Sequence, residues 1–98
     1  MKTYLETLAD KLEGVSASQL FGKPSLKKNN AHFVCGFRDC LVVKIGREAI
    51  AEKRGEFEGA VLFDPSGKGR PMKDWLQVPR AYQGEWLALA QQALEWVS

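Results

Sequence analysis

Ala31-His32-Phe33-Val34-Cys35-Gly36-Phe37, then Arg38-Asp39, then Cys40-Leu41-Val42-Val43-Lys44-Ile45: this stretch decides the fold. Phe33, Cys35 and Phe37 recur at every second position, and so do Leu41, Val43 and Ile45. That period of two belongs to a pleated strand with one buried face. Arg38-Asp39 breaks the apolar pattern where a tight turn is needed. The β-branched content of the second run reinforces the strand reading. Upstream, Asn29-Asn30 is good two-residue turn chemistry because asparagine tolerates positive φ, and Ser25 to Lys28 forms the strand before it. The result is an antiparallel meander.

Working outward, Thr3 and Glu6 have the spacing of a capping box, followed by an apolar stripe of Leu5, Leu8, Ala9 and Leu12 that stops at Gly14. This predicts a first helix. Pro24 lacks a backbone donor, so residues 15–24 read as a connection. Arg47 to Arg54 reads as a short helix ending at Gly55, and Gly59 to Asp64 as a strand. Asp64 to Pro71 is loop by composition, and Asp74 to Val78 is a strand closed by Pro79. A last helix runs from about Tyr82 to Trp96, with Trp86, Leu89, Ala90, Ala93 and Val97 on one face. The expected architecture is α+β: an antiparallel sheet of about five strands with helices packed on it, in the order α-β-β-β-α-β-β-α.

The chain has 98 residues, so one domain spanning 1–98 is expected, with one modest core. No stretch approaches the ~20 apolar residues of a membrane span, and the N-terminus lacks an apolar leader, so the expected location is the cytoplasm. Cys35 and Cys40 are expected to be reduced small hydrophobes. With His32 as the only histidine, no metal-ligand spacing exists. No metal or other cofactor is expected.

Net charge is only +2, but residues 14–47 hold six basic side chains against Asp39 alone. Lys27, Lys28 and Lys44 in the meander, with Lys68, Arg70 and Lys73 further on, are the candidate contacts for an anion or a nucleic acid. Ser66-Gly67-Lys68-Gly69 superficially resembles a phosphate loop. It lacks the required glycine five positions before its Gly-Lys pair, where Leu62 stands, and it lacks a following Ser or Thr. No nucleophile–base–orienter signature is present, so no catalytic residue is assigned and a non-enzymatic role is expected. The last helix is apolar beyond a single stripe. Trp86, Leu87, Leu94 and Trp96 are therefore candidate interface residues, for a protein partner or a second copy.

Leu20-Phe21-Gly22-Lys23-Pro24, the Leu41–Ile45 strand, and above all Gly69-Arg70-Pro71-Met72-Lys73-Asp74-Trp75-Leu76-Gln77-Val78-Pro79 carry a resemblance. From Leu20 to Val97 the chain resembles the TfoX N-terminal domain family, with YjbR-like relatives. The resemblance implies helices on an antiparallel sheet and brings no catalytic residues to carry over. Longer family members regulate natural competence and have a second, C-terminal domain. With no such domain in this sequence, a regulatory or protein-interaction module is the expectation.

Overall fold

The computed structural model describes residues Met1–Ser98. The elements are α1 (Lys2–Lys11), β1 (Ser16–Leu20), β2 (Lys23–Lys28), β3 (Ala31–Phe37), β4 (Cys40–Lys44), α2 (Arg47–Lys53), β5 (Val61–Phe63), β6 (Met72–Val78) and α3 (Trp86–Val97). One six-stranded sheet runs β1-β2-β3-β4-β6-β5, every neighbouring pair antiparallel. The α+β class and the packing of helices on an antiparallel sheet are as expected.

The extra strand is β1, which the sequence reads as a connection. Its Ser-Ala-Ser-Gln-Leu run has no apolar alternation and stays largely exposed. As an edge strand it needs only the backbone of β2, and side-chain patterning does not report that. Pro24 lies inside β2, opposite Gln19 of β1. The ladder from β2 to β3 begins one residue later, at Ser25 and Cys35, so proline sits near a strand end where it is tolerated. The two-residue turns behave as read: Asn29 and Asn30 both take positive φ, at 50° and 70°.

The capping box does not form. α1 starts at Lys2 with Thr3 already inside it, and Leu5 N–H donates to the Met1 carbonyl. Met1 is drawn inward because Gly36 leaves room on β3: a Cβ there would lie 2.1 Å from Met1 Cγ. The last helix also begins later than expected. Arg80–Glu85 is a 3-10 turn kinked at Tyr82 (φ −105°, ψ 26°), and α3 starts only at Trp86. Tyr82 is held elsewhere, its hydroxyl accepting from Glu58 N–H at 2.7 Å and its ring lying edge-on to Phe57.

The sheet has a core on each face. The larger, under the helices, joins Leu5, Leu8, Phe33, Val34, Leu41, Val43, Leu76, Val78, Trp86 and Leu89. The smaller joins Cys35, Val42, Phe63 and Trp75 on the other face, with Leu20, Phe37 and Met72 against it. Phe33, Cys35 and Phe37 therefore do not share a face. Between Leu26–Val34 and Lys27–His32 the register slips, leaving Phe33 without a partner. Such a bulge sends two consecutive side chains to one side, so Phe33 joins Val34 under the helices while Cys35 and Phe37 fall opposite.

Candidate functional site

Strand direction decides where the charges go. β2 ends at Lys28, β4 ends at Lys44, and β6, antiparallel to β4, begins at Met72-Lys73. The loop carrying Lys68 and Arg70 connects the end of β5 to the start of β6. All six candidate cations thus lie at one end of the sheet. The two ion pairs of the fold are Arg47–Asp74 at 3.9 Å and Arg80–Asp39 at 3.6 Å, so none of the six is neutralised by a carboxylate in contact. Lys44 is stacked instead, its Nζ 5.8 Å from the Trp75 ring centre and 5.6 Å from that of Trp96.

The glycine-rich loop holds an anion of its own. Asp64 Oδ1 accepts from Ser66 Oγ at 2.8 Å and from the N–H groups of Ser66 and Gly67. Its Oδ2 accepts from the N–H groups of Gly69 at 2.9 Å and Arg70 at 3.2 Å. The Ser66 hydroxyl foremost, together with these amides, holds the Asp64 carboxyl below the usual range despite partial desolvation. A phosphate entering this loop would have to displace that carboxylate. Through these bonds the backbone at Lys68 and Arg70 is held by Ser66 and Asp64.

The four interface candidates separate. Trp86 is fully buried, edge-on to Tyr4 at 5.2 Å and beneath the Arg80 guanidinium. It is a core residue with no surface to offer, because α3 turns it toward β3 and β4. Leu87 and Leu94 are half-buried against the same core. Trp96 remains 49% exposed.

Trp96 borders an open cleft of about 670 Å³ between the start of α2 and the end of α3, with Gly46, Arg47, Asp74, Gln92 and Glu95 around it. Gly46 makes the tryptophan's position available. It has φ 86° and ψ 158°, a region essentially reserved for glycine, and a Cβ there would lie 2.5 Å from Trp96 Nε1. The cleft is invisible in the sequence, since it joins segments fifty residues apart; Gly46 at the end of an apolar strand is its only sequence signal.

Sequence alternation puts His32 and Cys35 on opposite faces, but the bulge brings both beside one serine. Ser25, fully buried, is the cross-strand partner of Cys35, and its Oγ lies 2.9 Å from His32 Nδ1. A hydroxyl has one proton, and the Val34 carbonyl at 2.8 Å and His32 Nδ1 at 2.9 Å compete for it. Donation to Val34 leaves Nδ1 as the donor and selects the Nδ1–H tautomer of neutral His32. In both arrangements the serine ties His32 to Val34 across the bulge. Burial likewise pushes the Cys35 thiol up to about 11, opposed by Lys23, so this sulfur is a packing atom.

Burial, and secondarily Lys27, lowers the His32 pKa below 6.5. Below pH 6.5 the unfolded chain then binds more protons than the folded one. Stability from this group is complete above pH 6.5 and is lost as pH falls toward the folded value. Nitrogen NMR is expected to show Nδ1–H at neutral pH and a titration midpoint below 6.5; an Nε2–H signal would mean that Ser25 donates to His32 instead of to Val34.

The resemblance motif is accounted for by packing. Met72 and Trp75 belong to the smaller core, Leu76 and Val78 to the larger, and Pro79 opens the 3-10 turn. Architecture and surface together define an α+β domain with a basic sheet end and a half-exposed tryptophan beside a cleft. No family model, curated protein or solved structure matches the chain. No helix is long and apolar enough to cross a membrane.

Proposed function

We propose that this chain is a non-enzymatic interaction domain of the TfoX N-terminal type that docks a protein partner on the cleft beside Trp96. The carrying observation is Trp96 itself, half-exposed, stacked on Lys44 and seated over Gly46. A large ring held in place loses little freedom on binding, and tryptophan and arginine dominate the energetics of interfaces. Arg47 lines the same cleft. The resemblance of Gly69 to Pro79 to the family motif supports the family part of the reading. A photocrosslinking residue at position 96 is expected to trap a defined partner in cells, while the same residue at exposed Asp10 on α1 traps none. Equal labelling from both positions would remove the proposal.

A second reading, nucleic-acid binding, is favoured by the six unpaired cations at one sheet end. Fluorescence anisotropy of labelled duplex DNA at two salt concentrations tests it. Phosphate contacts make binding fall steeply with salt, and replacing Lys27 and Lys44 together is expected to abolish it. Affinity unchanged by that replacement would sink this reading.

A further inference from the structure

Arg47 also lines another depression, of about 250 Å³, together with Ile50, Ala51, Arg54, Leu62 and Lys73. We infer that this groove between α2 and the β5–β6 edge receives an acidic peptide segment, anchored by one aliphatic side chain. The inference names the partner chemistry for the interaction reading and rests on it.

Charge and shape carry the argument. Every charged residue lining the groove is basic, whereas the Trp96 cleft mixes Arg47 with Glu48, Asp74 and Glu95. Arg54 and Lys73 are exposed and have no ion-pair partner. Arg47 meets Asp74 through a single long contact from Nε and is itself 71% exposed, so the rest of its guanidinium fork is available to a carboxylate. Between the cations the floor is apolar: Ile50 is buried, and Leu62 is half-buried against the main core.

A basic rim around an apolar floor suits a ligand that alternates carboxylates with an aliphatic group. The volume lies below the usual ~300–1,000 Å³ of small-molecule sites, which suits one inserted side chain. β5 is also the sheet's last strand, with no strand on its outer side, so an extended segment has a backbone to run along. A phosphodiester backbone would satisfy the rim but leave the floor without a partner.

The test uses the whole chain and three labelled probes: a ten-residue peptide alternating Asp and Leu, the same peptide with Ser for Leu, and a short DNA duplex. The Asp-Leu peptide is expected to bind at least tenfold more tightly than the Asp-Ser peptide. The pair Arg54→Glu and Lys73→Glu, both exposed positions whose folding is verified by circular dichroism, is expected to weaken it at least tenfold. Arg54→Gln with Lys73→Gln is expected to weaken it less. Equal binding of the two peptides would reduce the groove to general attraction for anions and overturn the inference. So would indifference to the charge reversals, preference for the duplex, or no peptide binding. If the peptide fails while position 96 still traps a partner, the groove inference falls and the interaction reading stands. If both fail, the interaction reading falls with it.

Discussion

Trp86→Ala is expected to lower the unfolding free energy by about 3–5 kcal/mol, the range for truncating a buried aromatic. Trp86 heads the fully buried side chains by size. It lies at the first turn of α3, edge-on to Tyr4 of α1, so it joins two helices above the sheet. In a domain of this size each kcal/mol moves the melting temperature by about 4–8 °C, so a drop of roughly 12–40 °C is expected in calorimetry. Trp86→Phe separates packing from polarity. The indole N–H of Trp86 is buried without an acceptor, a defect that costs about 1–3 kcal/mol. Phenylalanine keeps a ring against Tyr4 and removes that donor, so its cost is expected to fall clearly below that of alanine despite the smaller cavity it leaves. Equal losses for the two variants would mean that ring packing is not what Trp86 contributes.

Gly46→Ala is expected to cost about 3 kcal/mol, the upper end for a residue held in a disallowed backbone region. Two effects act in the same direction. The conformation at φ 86° and ψ 158° excludes an L side chain, and the new methyl would overlap the Trp96 indole. Urea unfolding measures the loss. Trp96 fluorescence is expected to shift at the same time, because the ring must leave its seat and its stacking on Lys44. Gly55→Ala is the control: nothing lies within 4 Å of its added Cβ and its φ is not positive, so a change within about ±1 kcal/mol is expected. A Gly46 variant as stable as the Gly55 variant would refute the account of the cleft. A destabilised Gly46 variant with unmoved Trp96 fluorescence would confine the effect to the backbone.

The meander was legible because its information is local. The β-branched alternation from Leu41 to Ile45, asparagines at the Asn29-Asn30 turn and apolar spacing in the first and last helices are all set by near neighbours in sequence. They established the α+β class, the direction of each hairpin and the burial of Leu5, Leu8, Leu89, Ala90 and Ala93. The six cations could also be counted in advance, although their assembly at one sheet end depends on β6 pairing with β4 rather than with its sequence neighbour alone.

What remained hidden depends on contacts that no periodicity encodes. β1 exists because β2 offers a free backbone edge, which four small or polar residues and Leu20 accept without apolar alternation. The single-residue slip at Phe33 reverses the faces of everything after it, so His32 and Cys35 meet at Ser25. Trp86 and Trp96 are ten residues apart on one helix, and both stood as interface candidates although only Trp86 lies on the main apolar stripe. Packing against Tyr4 buries the first, while the glycine at position 46 gives the second a seat at the rim of a cleft. The cleft and the groove, which share Arg47, arise only when α2 is laid against β6. Sequence alone determined every element except β1; the tertiary structure added that strand and decided which faces remain open, because exposure depends on all the elements that meet there.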